Sequence, residues 1–217
     1  MTSMTLQPGP AAPTSEGAAT VEALARALEF HDYRRGEFGE TAAHTKRVTR
    51  LALALAERVA PELLSDPQLA FGFRLHDIGM IGVPSSTLTK AGPLTPTEVD
   101  EIREHPWLGE RIVAPVPALS GVAREVIACH HERWDGSGYP RGLRADEIPL
   151  PARILAIVDA FDAITHDQPY RVALGVEAAR EEIHAQAGTH FDPELARAFL
   201  ALDDFEPVEF ADPPPPS

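Results

Sequence analysis

Nearly every segment between residues 21 and 202 carries apolar residues at helical spacing, and this pattern constrains the fold more than any other feature. It predicts helices over residues 21–31, 41–60, 67 to about 79, 97–105, 119–131, 151–165, 176–187 and 193–202. Strand signals are nearly absent, because the IGVP and GYP regions are too short and rich in glycine. We therefore predict an all-α domain of about seven to eight helices.

Several helix boundaries have a specific chemical signal. Pro61 ends the second predicted helix, and Pro67 can open the third. The sequence TPTE places Pro96 at a first helical position and Glu98 three residues after Thr95, which predicts a capping box.

The two ends of the chain differ from its middle in composition. Residues 1–19 are rich in Pro, Gly, Ala, Ser and Thr without apolar periodicity, which predicts a disordered arm. Residues 206–217 include four consecutive prolines and predict a loose tail. Residues 20–205 are expected to form one domain with a single hydrophobic core.

Composition and charge exclude several classes of partner. The chain has 217 residues and a net charge of −14, with 19 Lys and Arg against 33 Asp and Glu, which argues against binding a nucleic-acid polymer. No apolar run approaches the roughly 20 residues that cross a bilayer, and a secretory signal is absent. Cys129 is the only cysteine, so an internal disulfide is excluded. We expect a cytoplasmic protein without a membrane partner.

The segment HHERWDGSGYP, residues 130–140, is unusually dense in chemically active side chains. Adjacent positions on a helix diverge by about 100°, so His130 and His131 cannot share one helix face. Their rings converge only if the helix ends there and both turn toward one centre, as a metal requires. The alternative is a pair of exposed histidines before a turn.

Other histidines and carboxylates fall at predicted helix ends or on otherwise apolar faces: Glu40, His44, His76, Asp77, His105 and Asp159. Glu40 and His44 are four residues apart and share a helix face. Asp159 lies in the apolar run ARILAIVDAFDAI, where an unpaired carboxylate is costly, so we expect a cation beside it. Taken singly, His44 facing water, His105 capping a turn, or Asp159 bonded to a hydroxyl or arginine are ordinary alternatives. Together, mixed imidazole and carboxylate ligands suit Mn, Fe or Zn, and their number indicates two or three metals.

Seven strings between residues 40 and 195 carry a family resemblance: ETAAHTKRV, LHDIG, IGVPSSTLTKAGPLT, EHPWLGERI, HHERWDGSGYPRGL, ARILAIVDAFDAIT and FDPEL. The chain resembles the HD superfamily of metal-dependent phosphohydrolases, and more narrowly the HD-GYP family. The resemblance implies an HD-type helical bundle around a bi- or trinuclear metal centre. It implies metal ligands at His44, His76, Asp77, His105, His130, His131 and Asp159, with Glu40 as the extra ligand of members that bind a third metal.

The resemblance also implies an activity. Family members cleave cyclic di-GMP to the linear dinucleotide or GMP, and two metals can hold the attacking and leaving oxygens of such a displacement. His76 and Asp77 are then the catalytic pair, with Asp77 bridging the metals. Fe and Mn are the foremost metals, with Zn and Ni as alternatives.

Substrate contacts are expected around the GYP turn. Gly138 and Pro140 would shape the turn, and Tyr139 would stack on or hydrogen-bond to the substrate. Lys90 and Arg171 are candidate phosphate or base contacts, or else solvated surface charges. The same surface is a candidate docking site for a diguanylate cyclase domain, and homodimer formation is left open.

Two positions depart from the family pattern. Met80 stands where HDIGK has lysine, and Gln168 stands where RPYR has arginine. Each departure removes a cation near a polyanionic ligand, a contact worth roughly 1.5–3 kcal/mol. Three hypotheses follow: a cyclic di-GMP phosphodiesterase with a weakened clamp, a phosphohydrolase for another cyclic dinucleotide or phosphorylated substrate, or a signalling module that keeps its metal site for docking.

Overall fold

A computed structural model describes residues 15–33, 40–167 and 172–202, and α-helices dominate them. The helices are α1 (Ser15–Tyr33), α2 (Glu40–Val59), α3 (Gln68–Arg74), α4 (Ser85–Leu88), α5 (Pro96–Arg103), α6 (His105–Val113), α7 (Val122–Cys129), α8 (Leu150–Thr165), α9 (Val176–Ala185) and α10 (Pro193–Leu200). Short 3-10 helices occupy Pro61–Ser65, Ile78–Gly82, Pro117–Leu119 and Ala145–Glu147. Within these residues a single β-bridge, between Ala187 and Phe191, is the only extended pairing. The all-α prediction is confirmed.

The structure revises several helix boundaries. Helix α1 begins at Ser15, inside the segment predicted as a disordered arm, whereas residues 1–14 lie outside the described part of the chain. Helix α7 is shorter than the predicted 119–131, so His130 and His131 follow its last turn. The helix predicted over 97–105 ends at Arg103, and a second helix, α6, begins at His105.

The capping box predicted at Thr95 is present. The Glu98 amide donates to Thr95 Oγ1 at 3.3 Å, and the Thr95 amide donates to the Glu98 carboxylate at 2.7 Å. These bonds satisfy two amides that the first turn of a helix leaves without partners.

Two apolar clusters flank the helix pair α3 and α7. The larger one joins α2, α8, α9 and α10, and its bulkiest members include Phe73, Phe161 and Phe199. The smaller one joins α1 to α6 and to the turn after α3. Helix α3 packs closely on α7 because Gly72 leaves room for it: a Cβ there would lie 2.9 Å from the Ala123 Cα. This packing brings the C-terminal ends of α3 and α7 to one side of the bundle.

The turn after α3 touches α6 with almost no space between backbones. A Cβ on Gly79 would overlap the carbonyl oxygen of His105 and lie 2.6 Å from the Gly109 amide nitrogen. Glycine at both 79 and 109 therefore sets the distance between the residues that follow α3 and the first turn of α6.

No helix in the described ranges is long and apolar enough to span a membrane.

Candidate metal centre

Seven predicted ligands converge from five helices onto one site. His44 lies on α2, Asp159 lies on α8, and His105 is the first residue of α6. The remaining four follow helix ends: His76 and Asp77 after α3, and His130 and His131 after α7. The prediction that α7 ends at the paired histidines, so that both rings face one centre, agrees with this arrangement.

The donor atoms form two groups that share Asp77. Nitrogen and oxygen atoms of each group lie within 4.8 Å of one another, the groups being Asp77, His105, His130, His131 and His44, His76, Asp77. Asp159 Oδ1 adjoins the second group, 3.4 Å from His44 Nε2 and 3.9 Å from His76 Nε2.

The two oxygens of Asp77 face different histidines. Oδ1 lies 3.3 Å from His105 Nε2 and 3.5 Å from His130 Nε2. Oδ2 lies 3.3 Å from His76 Nε2. One carboxylate thus supplies a separate oxygen to each group.

Backbone carbonyls fix the orientation of three histidine rings. The Nδ1 atoms of His76, His105 and His130 lie 2.8, 2.8 and 3.0 Å from the carbonyl oxygens of Phe73, Ile102 and Ile127, respectively. Since a carbonyl can only accept, each Nδ1 carries the hydrogen. In the neutral imidazole, each Nε2 therefore directs a lone pair into the centre, as metal-binding histidines require.

The arrangement of these lone pairs fits a cation. His105 Nε2 and His130 Nε2 lie 3.1 Å apart, and two lone pairs at that distance repel unless a proton or a metal ion lies between them. His76 Nε2 is buried without a hydrogen-bond partner in the described structure. Buried polar atoms without partners are rare in folded proteins and indicate a bound ligand, water or ion at that position.

Burial and neighbouring groups shift the pKa values of several residues of the site. Burial opposes the charge on Asp77, but the charge of His76 and the neighbouring His105 and His130 hold the pKa of this carboxyl well below its usual range. Burial likewise opposes the charge on His76, yet the neighbouring Asp77 raises its pKa to about 9. Burial lowers the pKa of both His130 and His131. Asp77 is thus anionic, and His130 and His131 are neutral, the protonation states in which these groups bind metals, whereas His76 would release a proton when a metal ion binds.

A second layer of side chains holds His44. Its Nδ1 donates to Asp162 at 2.8 Å, and Arg47 donates to the same carboxylate through Nε at 2.6 Å and Nη2 at 2.9 Å. Asp162 is 1% exposed; burial opposes its charge, but Arg47 and His44 lower its pKa to about 2. This carboxylate directs His44 Nε2 toward Asp159, an arrangement typical of metal-ligating histidines.

The GYP turn is built onto the same centre. The buried Glu132 carboxylate accepts from the Arg141 amide at 2.7 Å and the Leu143 amide at 3.0 Å, which holds the turn closed. Gly138 has no space for a side chain, because a Cβ would overlap the backbone of Glu132 and Arg133. The Tyr139 ring stacks on His131, with centroids 4.9 Å apart and planes 25° apart.

Tyr139 is a neutral hydroxyl in this site. Burial raises its pKa, and the charge of Asp77 raises it further, while Arg103 acts in the opposite direction. The hydroxyl therefore keeps its proton and remains a hydrogen-bond donor at any ordinary pH. Pro140 follows through a cis peptide bond.

Some predicted residues fall outside this picture. Glu40 is the first residue of α2, but its side chain lies outside the described part of the chain, as do Gln168 and Arg171. Lys90 Nζ lies 2.6 Å from the Glu98 carboxylate, and its described contacts do not join it to the histidines. Met80 packs against the smaller apolar cluster.

The alternatives considered for single residues do not describe the site. His130 is 3% exposed, so the paired histidines are not two exposed residues before a turn. The neighbours of Asp159 are His44 and His76, both imidazoles of the same centre. Sequence reasoning missed Asp162, Arg47 and Glu132. Only Asp162 carried a usable signal, because it lies in the same apolar run as Asp159.

Comparisons with known proteins agree with the fold. A model of the HD domain family matches residues 36–195. A cyclic di-GMP phosphodiesterase from Thermotoga maritima is 40% identical over 168 residues, which cover 76% of this chain and 45% of that protein. The 3'3'-cGAMP-specific phosphodiesterase 2 from Vibrio cholerae is 38% identical over 162 residues, covering 74% of this chain and 31% of that protein. The chain spans less than half the length of these relatives.

Solved structures show the same architecture. An HDG"Y"P protein from Bdellovibrio bacteriovorus superposes with a TM-score of 0.62 at 17% identity, over 85% of this chain and 62% of that one. The fold and the clustered side chains together define a helical domain with a group of histidines and aspartates that fits metal ions. The chain belongs to the HD domain family, and the HD-GYP resemblance of its sequence is confirmed.

Proposed function

We propose that this domain is a divalent-metal phosphodiesterase that hydrolyses cyclic di-GMP to the linear dinucleotide or GMP. The observation that carries the proposal is Asp77, whose two oxygens face two separate histidine groups. Relatives named as cyclic di-GMP phosphodiesterases, at 40% and 38% identity, support the choice of substrate.

Two sets of residues in the centre would each bind one cation. His105, His130 and His131 would hold one, His44, His76 and Asp159 would hold the other, and Asp77 would contribute to both. When bound, such a pair of cations acidifies water and withdraws charge from phosphoryl oxygens. The carbonyl bonds to Nδ1 keep three of the rings aimed at the site, so little reorganisation is needed when substrate arrives. Tyr139 would donate its hydroxyl hydrogen at the rim.

A second cyclic dinucleotide is the main competing substrate. The Vibrio cholerae relative that is 38% identical is named as specific for 3'3'-cGAMP. The missing cations at Met80 and Gln168 would also alter how a guanine dinucleotide is bound. Both dinucleotides carry the same cyclic phosphodiester backbone, so one metal centre can serve either.

The decisive experiment is turnover by purified protein loaded with Mn²⁺ or Fe²⁺. We expect cyclic di-GMP to disappear and the linear dinucleotide or GMP to appear by chromatography, with 3'3'-cGAMP assayed in parallel. Asp77→Ala should abolish turnover, because both cation groups lose a ligand, whereas Asp100→Ala on the exposed surface of α5 should leave it intact. Fully metal-loaded protein that cleaves neither dinucleotide would contradict the proposal and favour a docking role.

Several finer expectations belong to the same proposal. Fe and Mn are the foremost metals, with Zn and Ni as alternatives, and Glu40 is the ligand expected for a third ion. Lys90 and Arg171 remain predicted substrate contacts, together with Gly138 and Pro140. Docking of a diguanylate cyclase domain at the GYP turn, homodimer formation and a cytoplasmic location also remain predictions.

A further inference from the structure

Among the described residues, Arg103 is a cation at the rim of the centre with no recorded carboxylate partner. The Arg103 guanidinium lies over the Tyr139 ring, 5.5 Å from its centroid, and Tyr139 in turn stacks on His131. Arg103 is the last residue of α5 and is exposed, two positions before the buried ligand His105. The contacts thus form a row from the solvent-exposed Arg103 through Tyr139 to His131 in the site.

The described arginines differ in whether a carboxylate pairs with them. Carboxylates pair with those at positions 26, 47, 74, 124, 133, 141, 153 and 197. In the described part of the chain, the Tyr139 ring is the only recorded partner of Arg103, so no recorded carboxylate competes for its guanidinium.

The chemistry of guanidinium explains what such a residue can bind. A cation–π contact holds the charge over the ring but uses no hydrogen-bond acceptor, so the N–H donors stay available. Those donors match the spacing of two phosphate oxygens and bind them as a pair.

We propose that Arg103 is a substrate-binding residue that holds a phosphate of the cyclic dinucleotide at the rim of the metal centre. The inference rests on the proposed function. It supplies a cation that position 80 does not, since Met80 packs against an apolar cluster. Tyr139 positions the guanidinium by stacking between it and His131.

The test compares two arginines that are each stacked on an exposed or half-buried aromatic ring. Arg103→Gln removes the proposed clamp, and Arg111→Gln is the matched control, because Arg111 lies 4.8 Å from the Trp107 ring centroid on the neighbouring helix. Binding is measured by calorimetry with a slowly hydrolysed phosphorothioate analogue of cyclic di-GMP, and kcat and KM are measured with cyclic di-GMP itself. Metal content is determined for every protein.

We expect Arg103→Gln to raise the Kd for the analogue by roughly 10- to 100-fold, the range for loss of a charge-assisted contact. KM should rise with it, the salt dependence of binding should weaken, and metal content should stay that of the parent protein. Arg103→Lys should recover part of the affinity. Arg111→Gln should match the parent protein in every measurement.

The two proposals fail in different ways. Parent protein that cleaves the dinucleotide while Arg103→Gln binds it equally well overturns the clamp and leaves the proposed function standing. Parent protein that neither binds nor cleaves either dinucleotide overturns both proposals.

Discussion

His44 is held from behind by a carboxylate that an arginine holds in turn. Asp162 accepts from His44 Nδ1 at 2.8 Å and from Arg47 through two nitrogens. The hydrogen bond fixes which nitrogen of His44 carries the proton, and it increases the basicity of the nitrogen that faces the centre. The contribution of Asp162 to metal binding is therefore indirect.

Asp162→Asn should weaken metal binding without removing a ligand. We expect the Kd for Mn²⁺ to rise by roughly 10- to 100-fold, the usual effect of removing such a supporting partner. The free energy of unfolding should also fall by about 3–5 kcal/mol, because Arg47 would lose its partner in a nearly dry site. Competition with a chelating dye measures the first effect, and urea unfolding with EDTA measures the second.

The matched control is Asp146→Asn. Asp146 also pairs with an arginine, Arg153, at 2.9 Å, but its side chain is 88% exposed. An exposed pair contributes roughly 0–1 kcal/mol, so this variant should keep its stability and its metal affinity. Equal metal affinities in the two variants would show that Asp162 does not support His44.

Residue chemistry in the sequence is sufficient to predict the side chains that cluster at the site, but not the side chains that support them. Asp159 and the histidines stand out because charged or polar groups interrupt apolar helices. Asp162 interrupts the same run, but its role depends on Arg47 and His44, which lie more than a hundred positions away on α2. That pairing exists only after α2 packs against α8, so no local pattern predicts it. Arg103 was missed for the same reason, since only the fold places it over Tyr139.

Helix α6 and the turn after α3 are in close backbone contact beside the centre. Gly79 has no room for a side chain because the His105 carbonyl and the Gly109 amide occupy the space. This contact places Asp77, two residues before Gly79, beside His105 at the start of α6. The glycine therefore supports the metal centre through the position of two backbones.

Gly79→Ala should separate these elements. Overpacking usually costs about 1–3 kcal/mol of unfolding free energy, and backbone atoms on both sides give this site little freedom to adjust. We expect a loss at the upper end of that range, with weaker Mn²⁺ binding because His105 moves away from Asp77. Urea unfolding with EDTA and a metal titration measure the two effects.

Gly82→Ala, in the same turn, is the control for that experiment. A Cβ there would meet the end of the flexible Leu108 side chain at 2.9 Å, and a rotamer change can relieve the contact. If the affinity for Mn²⁺ fell equally in both variants, the close contact at Gly79 would not be what positions Asp77 beside His105.

The element boundaries show where local signals are incomplete. Pro106 restricts the backbone of His105, which favours a helix end just before it, and the chain does change helix there. Proline is also favoured in the first turn of a new helix, where its missing amide costs nothing. Pro106 is thus compatible both with the end of one helix and with the start of the next. Helix α6 was not predicted from the sequence because only the end of α5 was considered.

At the scale of the whole molecule, the candidate ligands come from positions 44 to 159 and from five helices. An unfolded chain cannot bring them together, so a metal ion would bind the folded state preferentially. Any ligand with this preference stabilises the fold by RT ln(1 + [L]/Kd), about 2.7 kcal/mol at a hundredfold excess over Kd.

Removal of metal should therefore lower the melting temperature. For a domain of this size we expect EDTA to reduce Tm by roughly 5–10 °C relative to protein saturated with Mn²⁺. Scanning calorimetry measures the shift, and Asp77→Ala should show almost none of it. A shift of the same size in Asp77→Ala would place the stabilising metal outside this centre.

The sharing of Asp77 between two histidine groups has a consequence for how such a domain diverges. One substitution at position 77 removes a carboxylate oxygen from both histidine groups. A descendant without this aspartate therefore loses a candidate ligand from each group at the same time. A descendant that keeps one cation but no longer hydrolyses its substrate must instead change a residue that belongs to only one of the two groups, such as His131 or His44. Inspection of those two positions, in any descendant that retains Asp77, distinguishes a half-dismantled centre from an intact one.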